Sequence, residues 1–348
     1  MRIRFCIWAC LLGLLAVAGC KKDRSPRYYA DGEVRVLMKN NPDGPNIVFL
    51  GDGYTKEDLV VNGDYDKQVE LLINYLFSVP PFNRYKNVFN IYQVYAISKQ
   101  RGARDSFDVN STATKFNTYF PKNDRAVQTR SYDTVDKYLE KALPRLEVHL
   151  PVMLVNDSRY GGTSGACATV SVGVALETTF VHEAGHAFGL LADEYVEAIR
   201  EKDFPLFIAH VYPNLDTTNN PALIKWKHYY NRPRYAGIVG AFEGGYYRAK
   251  GIYRPEENSV MRNNLTTRNF NAPSREAIVR RIYEIMGKPF DLDAYLKEDM
   301  NTMGYALQPE TGPHTNLPPL TADHIKPLEQ LKMMQLQRQY REQHNRVN

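Results

Sequence analysis

His182-Glu183-Ala184-Gly185-His186 sets two imidazoles four residues apart, with a carboxylate directly after the first. On an α-helix, residues four apart share one face, so both rings can turn a nitrogen toward a single ion. Neutral imidazole suits zinc. Glu183 projects about 100° further around such a helix, within reach of a water beside that ion. Zinc acidifies such a water near neutral pH and polarises a carbonyl. The carboxylate can take the water's proton and return it to a leaving amine, which amounts to amide hydrolysis. The bland alternative is a buried helix with two satisfied histidines and a surface glutamate, because so short a pattern also arises by chance.

The surroundings favour the chemistry. Ala184, Gly185 and Ala187 are small and permit close packing beside a metal. Gly185 and Gly189 each cost a helix about 1 kcal/mol relative to alanine, so tight packing and a sharp stop are expected to require them. Asp193-Glu194 follow that stop and offer a carboxylate as third ligand. Cys167 lies among small residues and reads as a small apolar side chain, not a nucleophile. Gly51-Asp52-Gly53 lacks the lysine and spacing of a phosphate loop.

The elements that must position these groups follow from pattern. Residues 46–50 and 150–155 are apolar runs that predict buried strands, and 88–97 and 168–174 are strand-like. Residues 56–77 predict an amphipathic helix with Leu71, Leu72 and Leu76 inward, stopped by Pro80-Pro81. Further helices are expected over 133–143, from 177 onward, and over 274–286 with Ser274 as N-cap. Residues 202–257 show no clear period. The alternation of strands and helices predicts an α/β layer architecture. The glycine-rich stretch with Gly161, Gly162 and Gly165 reads either as an ordinary loop or as the start of an edge strand. In the second reading an extended peptide substrate would pair with it through backbone hydrogen bonds. Tyr195 is close enough in sequence to be considered as an oxyanion donor, or as a helix-packing tyrosine.

The stretch from Val181 to Tyr195 closely resembles the M64 family of metallopeptidases, named for an immunoglobulin-A-cleaving member and grouped with metzincin-like zinc peptidases. Leu50-Gly51-Asp52-Gly53-Tyr54-Thr55, Pro81-Phe82-Asn83-Arg84-Tyr85 and Gly240-Ala241-Phe242-Glu243-Gly244 are similar as well. Asn258-Ser259-Val260-Met261-Arg262-Asn263 resembles a Met-turn, with Met261 packed beneath the metal. The resemblance spans residues 45 to 290. It implies a mixed twisted sheet, an active-site helix, a C-terminal helical subdomain, a Zn2+ cofactor and Glu183 as catalytic base. It also implies His182, His186 and Asp193 as ligands, yet the usual third-ligand position, six residues after the second histidine, holds Ala192. Asp193 comes one later, with Glu194 as its rival and His210 and His228 as more distant ones. The β-rich domain that precedes the catalytic one in larger relatives is expected to be absent.

The N-terminus reads as an address. Arg2 and Arg4 precede an apolar run over 5–19, which ends Leu15-Ala16-Val17-Ala18-Gly19-Cys20 like a bacterial lipobox. The expected organisation is a lipoprotein signal over 1–19, lipid on Cys20, a tether over 20–44, a catalytic domain over 45–300, and a proline-containing linker and polar tail over 301–348. Of Cys6, Cys10, Cys20 and Cys167 only the last lies in the body, so no internal disulfide framework is expected. The net charge of +5 comes without a dense Lys/Arg block, which argues against a nucleic-acid partner. The expected partners are a protein or peptide substrate and a membrane reached through the lipid alone, on the outer membrane or cell surface. Two other readings stay open: a zinc-containing surface protein that binds peptide or glycoprotein without cutting it, and a hydrolase of a non-peptide amide such as a cell-wall crosslink.

Overall fold

A computed structural model describes residues 25–105, 113–121, 125–165, 167–197, 209 and 211–299. The first long apolar run, β2 (Asn46–Asp52), is buried at every position, as is β4 (Leu150–Val155). Strands buried on both faces belong in the middle of a parallel sheet covered by helices. β2 indeed runs parallel to both β3 (Asn90–Val94) and β4, and β4 runs parallel to β6 (Ala168–Ser171). Two antiparallel edges complete the sheet, β1 (Val34–Lys39) against β3 and β5 (Gly162–Ser164) against β6. The order is β1-β3-β2-β4-β6-β5, a mixed six-stranded sheet.

Alternation along the strands divides the core. Ile47 and Phe49 face one layer with Val69, Leu72 and Leu76 of helix α1 (Asp64–Leu76). Phe180, Val181 and Ala184 of helix α4 (Leu176–Ala187) share that layer. Val48 and Leu50 face the other layer with Phe116, Phe120, and Val135 and Leu139 of helix α3 (Tyr132–Leu139). A four-residue helix α2 (Phe82–Tyr85) follows Pro80-Pro81. Helices α5 (Ala272–Ile285) and α6 (Leu292–Glu298) close the described chain around Trp226, Tyr229 and Tyr235.

Several expectations are corrected. The tether segment contains strand β1, and Tyr29 before it is buried and stacked on Tyr95 with ring centroids 3.7 Å apart. The folded body therefore starts well before residue 45. Helix α1 begins at Asp64 instead of 56, because the chain turns through Gly63 first. Leu71 is 43% exposed while Leu72 and Leu76 are buried, one residue being enough to leave the inner face. Residues 202–257 contain a hairpin, β7 (Phe242–Gly245) and β8 (Arg248–Arg254). The cap of α5 is Asn271, whose side chain accepts from the Ser274 N–H at 3.0 Å. Proline sits inside the first turn here, so the cap precedes it. Cys20, the signal, residues 301–348 and His210 lie outside the described residues. Among the described residues no helix is long and apolar enough to cross a membrane.

Candidate active site

Helix α4 packs on the sheet and against α1, and Thr178 to His186 are all buried. Small residues are what let other groups approach it. A Cβ on Gly185 would lie 2.6 Å from Met261 Sδ and 2.8 Å from a Phe270 ring carbon. Glycine at that position thus allows Met261, itself fully buried, to sit directly against the helix turn between the two histidines. Past the helix, Leu190 adopts φ +57°, a left-handed conformation that reverses the chain after Gly189. Asn214 then fixes the returning loop, accepting from Ala192 N–H and donating to Ala192 C=O, each at 2.9 Å. Asp193 arrives over the helix as a result.

Three atoms converge there. His182 Nε2 and His186 Nε2 lie 3.1 Å apart, and Asp193 Oδ1 is 3.2 Å and 3.0 Å from them. The other ring nitrogens face backbone carbonyls, His182 Nδ1 at 2.8 Å from Val260 O and His186 Nδ1 at 2.7 Å from Leu191 O. A carbonyl only accepts, so each Nδ1 carries its ring's proton and donates. With both rings neutral, as metal binding requires, the Nε2 atoms present lone pairs to each other and to a carboxylate oxygen. That arrangement demands a positive charge at its centre. The same demand pushes the His182 imidazole up to about 9; burial opposes its charge, but the Asp193 hydrogen bond and the Glu183 and Asp193 charges outweigh it. Two imidazoles and one carboxylate oxygen, with carbonyl partners fixing both ring orientations, fit a zinc-type ion. His182, His186 and Asp193 are also the one such cluster of metal-ligating side chains among the described residues.

Glu183 lines the same cleft, a space of about 250 Å³ bounded by β5, α4 and residues 262–265. Strand β5 runs so close that a Cβ on Gly162 would lie 2.7 Å from Glu183 Oε1 and 2.5 Å from Thr179 Cγ2. The register corrects the expected edge residues: Gly161 and Gly165 pair with β6, and the Gly162 N–H is engaged by Arg125 C=O. Ser171 N–H donates to Gly161 C=O and Gly165 N–H to Cys167 C=O, so residues 161, 163 and 165 carry the ladder to β6. Alternation turns the backbone groups of Gly162 and Ser164 away from β6. Gly162 N–H donates to Arg125 C=O, while Ser164 lines the cleft.

Glu194 points elsewhere. Its carboxylate is fully buried and accepts from Asn214 Nδ2 at 2.8 Å, Asn271 Nδ2 at 2.6 Å and Ser259 Oγ at 2.6 Å. These contacts tie the Asp193 loop to the Met261 turn and to the cap of α5. His228 is occupied by Glu276 at 2.7 Å, outside the converging set. Cys167 is buried, as a small apolar residue should be. Tyr195 lines the cleft, but its hydroxyl donates to that of Tyr247 at 3.1 Å. Tyr247 in turn donates to Asp193 Oδ2 at 2.5 Å. Sequence reasoning missed Tyr247, Asn214 and Asn271; only their placement by distant segments reveals them.

The family comparison places this mixed α/β domain among the peptidases. More particularly, the IgA peptidase M64 family model matches residues 39–234 and 229–282, and the chain belongs to that metallopeptidase family. No curated protein matches the chain.

Proposed function

We propose that the chain is a zinc-dependent endopeptidase with a metzincin-like site, exported and held at the bacterial envelope by lipid on Cys20. The convergence of His182 Nε2, His186 Nε2 and Asp193 Oδ1 within 3.2 Å carries this reading. Zinc, when bound by these three, supplies Lewis acidity toward a water and the scissile carbonyl. Glu183 accepts the water's proton and returns it to the leaving nitrogen. Met261 supports the helix from below. The outward backbone of Ser164 on β5 holds the substrate extended across the cleft, so side chains alternate toward and away from Glu183. The substrate class is extracellular or cell-surface protein, host glycoproteins included, in keeping with the immunoglobulin A of the family's description.

Digestion of a peptide library tests it. Cleavage is expected to stop with a chelator and return with Zn2+, and Glu183→Ala is expected to lose cleavage by about 10²- to 10⁴-fold while retaining zinc. Cleavage that survives chelation, target binding without cutting, or activity on cell-wall crosslinks alone would overturn the reading. For the anchor, Cys20→Ser is expected to move the protein from the membrane to the soluble fraction; unchanged membrane association would refute lipidation.

A further inference from the structure

The turn between β7 and β8 is built against local preference. Tyr246 and Tyr247 both have positive φ, +49° and +64°, in the left-handed region that aromatic side chains rarely occupy. Such backbone persists only where the surroundings over-determine it. Here three backbone hydrogen bonds dock the turn on the loop that carries Asp193. Tyr246 N–H donates to Asp193 C=O at 2.9 Å, Tyr247 N–H to Tyr195 C=O at 3.0 Å, and Glu197 N–H to Tyr247 C=O at 3.1 Å. The docking delivers the Tyr247 hydroxyl to Asp193 Oδ2 at 2.5 Å, a short, charge-assisted bond. Tyr195 donates to that hydroxyl at 3.1 Å, its ring edge-on to Tyr247 with centroids 5.0 Å apart. Tyr247 has one proton to give, and accepting from Tyr195 leaves that proton directed at Asp193.

The consequence falls on the carboxylate. With Oδ2 engaged by Tyr247, Oδ1 is the oxygen set against the two imidazole nitrogens, at 3.2 Å and 3.0 Å. We propose that Tyr247 is a positioning residue that makes Asp193 a one-oxygen ligand, oriented in turn by Tyr195, so that the β7–β8 hairpin sets the affinity of the site for its cation. This rests on the zinc reading given above. Groups that hold a ligand from behind commonly matter by 10- to 100-fold in metal affinity.

The test uses the mature chain stripped of metal. Zn2+ affinity is measured by competition with a chromophoric chelator, and the visible spectrum is recorded with Co2+ in place of zinc. Tyr247→Phe is expected to raise the Zn2+ Kd by about 10- to 100-fold and to alter the Co2+ bands as Asp193 gains freedom to bind through both oxygens. Tyr195→Phe is expected to weaken binding by less, at most about 10-fold. A merely structural tyrosine would lower the melting temperature and leave the Co2+ spectrum of the folded fraction unchanged, which overturns the proposal. If Tyr247→Phe does not fold, Tyr195→Phe decides, and a wild-type Kd and spectrum there overturn it. Wild-type protein that binds no Zn2+ would instead remove the zinc reading itself.

Discussion

Asp193 and Glu194 are neighbours in one loop, and both are buried, at 3% and 0% exposure. Their surroundings differ in kind. Glu194 meets donors from three directions, Asn214, Ser259 and Asn271; burial still raises its carboxyl, and these bonds work against that rise. Asp52 at the end of β2 is similar, accepting from Ser98, Thr114 and Thr118 hydroxyls and from Phe116 and Thr118 N–H groups. Asp193 has the Tyr247 hydroxyl behind it and, in front, the Nε2 atoms of two imidazoles. A buried carboxylate with donors all round is scaffold. One that faces other acceptors is half of a cation site, and the difference is visible without any ion in place.

Exchanging the two residues' roles is the most direct way to break this comparison. Asp193→Asn is expected to lower Zn2+ affinity by more than about 100-fold, beyond what loss of a supporting partner costs. The fold should suffer less than in the companion variant. Glu194→Ala removes the shared acceptor of three buried donors, of which Asn214 keeps Ala192 C=O, and is expected to destabilise the metal-free protein by about 4 kcal/mol, at roughly 1–3 kcal/mol per unpaired group. Its Zn2+ stoichiometry should survive wherever the protein remains folded. Denaturant midpoints and metal analysis on both variants read this out. Zinc lost from Glu194→Ala but kept by Asp193→Asn would reverse the assignment.

What could be read in the sequence follows the same division between local and distant causes. The His182/His186 pair is legible because helical geometry alone puts both on one face. Strands β2 and β4 are legible because unbroken apolar runs report full burial. The direction of Glu194 is not, since it is decided by Asn214, Ser259 and Asn271, which lie 20, 65 and 77 residues away. The β7–β8 hairpin escaped for a different reason. Gly244 and Gly245 end β7 and two left-handed tyrosines make the turn, and its residues lack the clean alternation of a half-buried strand. Strand β1 hides in the segment read as a tether because an edge strand shows little burial, and Val36 is 54% exposed. The motif Gly51-Asp52-Gly53 was visible, but its purpose was not: Asp52 organises residues 114–118, which no local pattern connects to it.

Glu256 sharpens the comparison at smaller scale, because it sits between the two extremes. It is partly buried, and its carboxyl accepts one backbone bond, from Ala272 N–H at 2.7 Å in the first turn of α5. Burial pushes it up to about 7, despite the Arg275 charge and that bond, with Glu194 and Asp299 adding to the rise. The folded state therefore holds this proton more tightly than the unfolded chain, whose carboxyl titrates at about 4.5. The stabilisation from the neutral form is complete below that lower value and is lost as pH climbs through about 7. Discounted for partial exposure, the loss is roughly 2 kcal/mol. Glu256→Gln keeps an acceptor for Ala272 and removes the titration. In denaturant unfolding of the metal-free protein, the variant should match wild type near pH 5. At pH 8 it should exceed wild type by about 2 kcal/mol. A difference that stays flat across that interval would mean that one backbone donor with a nearby arginine suffices to keep a carboxylate charged beside this core.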